Sequence, residues 1–245
     1  MTGRVELYDR LPVTADVGWW RERAEASPDG RVLYVGAGTG RLAVPVAEVT
    51  RELVAVDNDP GMLAAFRARL EATDPALSAR VRLVEADAAS LSLGERFGLV
   101  VLPSNLLNGI TDPAARAAAA KAAAAHCLPD GRVVMQVLNP YWLACDDPSA
   151  RGRIQPHADA PPIDVAIRRH VFDTWEQRAH ATITYRFADG AELVDEIDAI
   201  VLYPRELRAL VYQAGLKVVD RWGAVPGEDA LDVAGGTWHL VCAPR

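Results

Sequence analysis

Five runs of branched apolar residues recur along the first part of the chain: RVLYVG at 31–36, ELVAVD at 52–57, VRLVEAD at 81–87, FGLVVLP at 97–103 and RVVMQVLN at 132–139. Each is rich in Val and Leu and is bounded by Gly, Pro, Asp or Asn. A strand that is apolar at nearly every position is one covered on both faces, so the pattern predicts a buried parallel sheet. The segments between the runs read as helices. GRLAVPVAEVT follows the first run, DPGMLAAFRARLEA opens on Asp59 and Pro60, and TDPAARAAAAKAAAAHCL repeats that opening with Asp112 and Pro113. An acid at the cap accepts the free amides of the first turn, and a proline there has no amide to leave unpaired. Strand and helix in alternation predict an α/β, doubly wound sheet.

The pattern then changes. ACDDPSARGRIQPHADAPPID, 144–164, is rich in Pro, Asp and Arg and reads as a loop. DVAIRRHVFDTW, AHATITYRFADG and AELVDEIDAIVLY alternate polar with apolar residues, which predicts an antiparallel β meander inserted into the α/β domain. PRELRALVYQAGL, 204–216, returns to helix, and KVVDRWGAV and TWHLVCAPR read as closing strands. The expected organisation is an N-terminal helical lid at 1–30, a core domain from 31–143 and 204–245, and an inserted loop and meander at 144–203 capping the substrate.

Chemistry enters at the first strand-to-helix turn, where Gly36, Gly38 and Gly40 alternate with Ala37 and Thr39. A turn stripped of side chains lets a ligand lie on the main chain, next to the free amides of a helix start. A phosphate-binding P-loop needs Gly-Lys-Ser/Thr, but Gly40 is followed by Arg41 and Leu42. A dinucleotide fingerprint places its third glycine where Arg41 stands. A short-chain dehydrogenase needs Tyr-x-x-x-Lys, and neither Lys121 nor Lys217 has a tyrosine four residues earlier. What remains is Gly-x-Gly-x-Gly with an acid ending the next strand, the arrangement suited to S-adenosylmethionine. Asp57 in VAVDND suits both ribose hydroxyls of an adenosine; Asp87 in VEADAASL suits the exocyclic amine of adenine, with the Ala88 amide facing a ring nitrogen.

Composition narrows the partners. The chain of 245 residues carries a net charge of -7 and has no basic block, which argues against nucleic acid and anionic membranes and leaves small cationic or neutral molecules. Cys127, Cys145 and Cys242 lie far apart, so a zinc site or redox pair is not expected, and they read as reduced cytoplasmic thiols. The opening residues lack the apolar core of a signal peptide, and no span of twenty apolar residues occurs. No metal is expected.

Taken in order, YDRLPVTADVGWW, GAGTGRLAVPVAE, AVDNDPGML, VEADAASL, LPSNLLN and LPDGRVVMQVLNP, with the meander, YPRELRALVYQAGL and the final strand, resemble class I S-adenosyl-L-methionine-dependent methyltransferases of the small-molecule branch. The resemblance covers nearly the whole chain. It implies a Rossmann-like, seven-stranded sheet whose last strand is antiparallel, with S-adenosyl-L-methionine bound at the carboxyl ends of the strands. It implies that Gly36, Ala37 and Gly38 pass beneath the methionine moiety and that Asp57 holds the ribose. Asn58 and Met62 would flank the adenosine, Asp87 and Ala88 would contact adenine, Pro103 and Asn105 would border the sulfonium, and Tyr8 and Trp20 would close over the site. Two positions depart from the family. Tyr34 stands where an Asp or Glu commonly helps hold the methionine amino group, and Phe97-Gly98 replaces Phe-Asp, a change expected to be structural.

Methyl transfer from a sulfonium needs alignment and exclusion of water, plus a base where the acceptor is a hydroxyl. Tyr8, Asn105 and His170 are the catalytic candidates on the acceptor side, with Asn108, Asn139, His157, Arg169, Trp175 and Tyr203 behind them. The tetrapeptide Asn/Asp-Pro-Pro-Tyr/Phe, used on planar amides and bases, is absent, and PSNLLN occupies that region. A small amine or hydroxyl is therefore the expected acceptor, for a monomer or homodimer with no nucleic-acid or membrane partner. The rival expectations are another chemistry on the same cofactor, such as cyclisation or decarboxylation, and a non-catalytic binding module.

Overall fold

The computed structural model describes residues 2–12, 16–143, 149–154, 161–223 and 236–245. Two helices, α1 (Thr2–Arg10) and α2 (Val17–Glu25), precede the first strand. Strand and helix then alternate through β1 (Arg31–Val35), α3 (Ala43–Ala47), β2 (Glu52–Asp57), α4 (Pro60–Glu71), α5 (Pro75–Ser78) and β3 (Val81–Glu85). The series continues with β4 (Phe97–Leu102), α6 (Leu106–Gly109), α7 (Pro113–Ala125), β5 (Cys127–Leu138) and α8 (Pro140–Leu143). A second sheet follows, β6 (Ser149–Ile154), β7 (Ile163–Asp173), β8 (Arg178–Arg186) and β9 (Glu192–Ile200). The chain closes with α9 (Pro204–Gln213), β10 (Leu216–Trp222) and β11 (Thr237–Pro244).

The main sheet has seven strands in the order β10-β11-β5-β4-β1-β2-β3. Strands β1 to β5 pair in parallel, and β11 runs antiparallel between β5 and β10. This is the Rossmann-like sheet with an antiparallel last strand that the apolar runs and the resemblance predict. Successive side chains of each central strand point to opposite faces, and both faces are buried. Leu33, Val54 and Val100 pack under Ala119 and Ala123 of α7 and Leu207 and Val211 of α9. Val32, Leu53 and Leu99 pack under Trp19 and Trp20 of α2, Val46 of α3 and Phe66 of α4. Alanines on the buried face of α7 bring that helix close to the sheet.

The helix starts behave as their caps predict. The Asp59 carboxylate accepts from the Gly61 amide at 2.7 Å, and Asp112 accepts from the Ala115 amide at 2.7 Å. Gly98 has the expected structural reason. A Cβ there would crowd Asp29 and Ser27, and its amide donates to Asp29 Oδ1 at 2.9 Å.

Three boundaries differ from expectation. The segment read as a loop contains β6, whose Arg-rich sequence hides an edge strand paired antiparallel with β7. The helix expected after the glycines is only Ala43–Ala47, and Pro45 within it has no amide to donate. The alanine helix stops at Ala125, and Cys127 already pairs with Phe97 of β4. No helix among the described residues is long and apolar enough to cross a membrane.

Candidate active site

The three glycines of the β1–α3 turn all have positive φ, +80° at Gly36, +55° at Gly38 and +79° at Gly40. Their reasons differ. A Cβ at Gly40 would collide with the Phe66 ring of α4, so this glycine is required for packing. A Cβ at Gly38 would meet nothing within 4 Å, so here bare main chain faces open space. The amides of Gly36 and Ala37 donate to Val56 O at 2.8 and 3.0 Å, which ties the turn to β2. At the end of β2, Asp57 Oδ2 accepts from the Gly38 amide at 2.7 Å and Oδ1 accepts from the Asp59 amide at 3.0 Å. One carboxylate thus sets two successive turns. Each of its oxygens has a further lone pair for a ligand.

These residues line a hollow of about 370 Å³. Its wall includes Tyr8 from α1, Tyr34, Gly36, Ala37, Gly38 and Thr39 around the turn, Asp57, Asn58 and Met62 at the start of α4, and Pro103 and Asn105 after β4. A second hollow, of about 710 Å³, lies between the end of the main sheet and the inner face of the second sheet. That inner face is one alternating set: Ala179, Ala181, Ile183 and Tyr185 on β8, and Asp195, Ile197 and Ala199 on β9. Register places Asp195 opposite Ile183 and Ile197 opposite Ala181. Arg4, Tyr8, Arg41, Ser104, Asn105 and Gly109 line both hollows, so the two share a wall.

The shared wall is polar and partly strained. Ser104 and Asn105 have φ of +53° and +58°, a left-handed conformation that non-glycine residues adopt rarely. The Ser104 amide donates to Gln136 Oε1 at 2.9 Å. Among the described residues, the buried amide oxygen of Asn105 has no hydrogen-bond partner, and neither do the Tyr34 hydroxyl and the Thr39 hydroxyl. Burial pushes the Tyr34 and Tyr185 phenols above their usual range, which keeps both neutral donors. Burial lowers the Arg41 guanidinium without removing its charge. Asp195 is only 7% exposed, and desolvation raises its carboxyl against the opposing pull of Arg4, whose Nε is 3.6 Å away.

Several sequence-predicted residues converge here and others do not. Tyr8, Gly36, Ala37, Gly38, Asp57, Asn58, Met62, Pro103 and Asn105 line the first hollow. Trp20 is a correction. It is 1% exposed, lines neither hollow, and donates from Nε1 to Asp16 Oδ2 at 2.8 Å. Its ring lies beside that of Trp19 on the same helix and that of His239 on β11, so the face of α2 that carries it packs onto the sheet. Asp16 Oδ2 also meets Gln136 Nε2 at 3.2 Å and His239 Nε2 at 2.8 Å, so Trp20 belongs to the network behind Ser104. Asp87 and Ala88 are not among the residues lining the hollow. Asp87 is exposed, two residues past Glu85, the register partner of Asp57, and its Oδ1 accepts from the Ala89 amide at 2.7 Å.

On the acceptor side, His170 lies in β7 at a register irregularity, and its side chain is outside the described part of the structure. His157 and Cys145 lie outside the described residues altogether. Asn108 lines the second hollow, but its amide is committed to Ile200 O and the Leu138 amide. Asn139 caps the turn to Tyr141, and Tyr203 starts α9 with its ring 6.2 Å from that of Tyr141. Arg169 stacks towards Phe172, and Trp175 is 90% exposed in the β7–β8 turn.

Arg4, Arg41, Gln136, Tyr185 and Asp195 escaped the sequence reading. One signal was present for the last: Asp195 shares the phase of Ile197 and Ala199, so a charge occupies an inward position of an alternating strand.

A family model described as a methyltransferase domain matches residues 32–131. No curated protein matches the chain in sequence. Among solved structures, the CcbJ methyltransferase from Streptomyces caelestis superposes with a TM-score of 0.76 at 24% identity, over 94% of this chain and 95% of that one. The sugar N-methyltransferase KedS8 from a Streptoalloteichus species gives 0.70 at 20% identity, over 98% and 92%. CalS10 from Micromonospora echinaspora, an amino pentose methyltransferase of calicheamicin biosynthesis seen with its cofactor bound, gives 0.70 at 20% identity, over 95% and 92%. At these identities the likeness establishes the shared fold.

Proposed function

We propose that this chain transfers the methyl group of S-adenosyl-L-methionine to an amine or hydroxyl of a small molecule, in specialised metabolism. The observation that carries the reading is the shared wall: a hollow floored by bare main chain at Gly38 meets a larger one under the second sheet at Tyr8 and Asn105. The residues present fit the cofactor. Open space over Gly38 and the unpartnered hydroxyls of Tyr34 and Thr39 await a ligand with polar groups, and Asp57 has acceptor capacity left for a ribose. The cofactor supplies a methyl group on a sulfonium, which is a good leaving group.

The chain supplies alignment. Asn105, fixed in its left-handed turn, presents an unpartnered carbonyl oxygen that accepts an N–H or O–H of the acceptor and aims its lone pair across the wall. Asp195 favours an amine over a hydroxyl. A buried carboxylate in the acceptor hollow attracts an ammonium, and its raised proton affinity suits it to take the proton that the amine loses before attack. The second sheet acts as a cap, and α1, which carries Arg4 and Tyr8, acts as a lid. KedS8 and CalS10, both methyltransferases of sugars, support this acceptor class.

The test is incubation with S-adenosylmethionine and a panel of small amines, each paired with its hydroxyl counterpart, with products separated by mass spectrometry. S-adenosylhomocysteine with a methylated amine is the expected result. Methylthioadenosine with a new ring, or tight cofactor binding with no methylated product from any acceptor, would overturn the reading.

A further inference from the structure

Tyr34 is 1% exposed and Thr39 is 2% exposed, yet neither hydroxyl has a hydrogen-bond partner among the described residues. Buried hydroxyls are seldom left unpaired in native interiors. Both side chains line the cofactor hollow beside Gly36 and Gly38. Arg41 stands with them as an electrostatic neighbour of Tyr34. It is half-buried and donates to Pro12 O, and no carboxylate of the described residues lies within ion-pair distance of it. Asp16, an acid whose charge acts on Arg41, is already shared by Trp20, Gln136 and His239.

The group therefore comprises two hydroxyl donors and one cation with no carboxylate in ion-pair contact among the described residues. Its complement is an anion with several lone pairs; an ammonium would be repelled by the guanidinium and left unneutralised by a phenol. We infer that Arg41, Tyr34 and Thr39 form a carboxylate anchor, and that the amino-acid end of the cofactor is held here through its carboxylate rather than through its amino group. This rests on the cofactor proposed above. An anionic group of the acceptor has the same chemistry, and Arg41 lines both hollows, but Tyr34 and Thr39 line only the cofactor hollow, which assigns the anion to the cofactor.

Calorimetry with three probes tests the anchor: S-adenosylhomocysteine, its decarboxylated analogue, which keeps the amine, and methylthioadenosine, which lacks both groups. Wild type is expected to bind S-adenosylhomocysteine about tenfold or more tighter than the decarboxylated analogue, as hydrogen bonds to a charged group require. Tyr34→Phe and Arg41→Met are expected to close most of that gap and to leave methylthioadenosine binding unchanged. Equal binding of the first two probes to wild type overturns the inference, and so does a gap that both variants leave intact. The wild-type comparison decides even where a variant fails to fold. A wild type that binds none of the three probes removes the cofactor reading itself, and the anchor with it.

Discussion

At the scale of single residues, neighbouring glycines are under different constraints, and substitution separates them. Gly40→Ala places a methyl group inside the Phe66 ring in a left-handed backbone, and the combined strain should cost about 2–5 kcal/mol of stability, read from a denaturant melt. Gly38→Ala carries the backbone penalty alone, about 1–2 kcal/mol, but fills the space over the turn, so it should fold and lose S-adenosylhomocysteine binding by calorimetry. Asp195 makes a third prediction. Burial raises its carboxyl above the ordinary 3.8, so the folded state holds this proton more tightly than the unfolded chain does. Its stabilising share is present below that ordinary value and is lost as pH rises through the folded one. Asp195→Asn has no charge to bury. Without cofactor it should melt above wild type near about pH 7, and the difference should shrink towards about pH 4. Losing the ion pair with Arg4 should offset little of this, because the Arg4 side chain is 61% exposed.

At the scale of elements, among the described residues α1 is held to the body by the buried Leu7, by the Arg10 guanidinium over the Phe187 ring, and by ion pairs: Arg10 with Asp189 at 2.6 Å, Asp9 with Arg69, and Arg4 with Asp195 at 3.6 Å. Exposed pairs are weak and screened by salt. Hydrogen exchange in α1 should therefore quicken in about 1 M salt while α4 stays protected, and should slow when S-adenosylhomocysteine binds. Protection of α1 unchanged by both treatments would argue against its acting as a lid. The elements also differ in how plainly the sequence announces them. β1, β2 and β4 are legible because both faces are covered and nearly every side chain is apolar, and β3, an edge strand with Arg82 and Glu85 exposed, is legible through Val81, Leu83 and Val84. β6 is not, because an edge strand reading SARGRI owes its place to backbone pairing with β7. The glycine turn and Asp57 were legible as local motifs. Arg4, Arg41 and Asp195 were not, because they meet only when α1, the turn and β9 come together. Trp20 was misplaced because a motif near the site does not say which face of its helix looks inward.

At the scale of the whole molecule, the antiparallel last strand joins the two ends of the core. β11 supplies Cys242 to the interior near Cys127 of β5, and burial raises the two thiols to about 12 and about 11. A thiol in that range is almost wholly protonated in neutral buffer and inert. Ellman's reagent should leave Cys127 and Cys242 unlabelled at about pH 8 in the native protein, and both should react when guanidinium unfolds it. Labelling of either in the folded state would mean that the sheet opens locally at β5 and β11.

The wall common to the two hollows bears on how such a protein can diversify. Tyr8, Arg41 and Asn105 face both sides, so an exchange that admits a bulkier acceptor there also disturbs the seat of the donor. Ile167, Ile183 and Ile197 face only the acceptor side, on strands that the glycine turn never touches. Descendants of this chain can drift to new acceptors through those isoleucines while their donor stays the same.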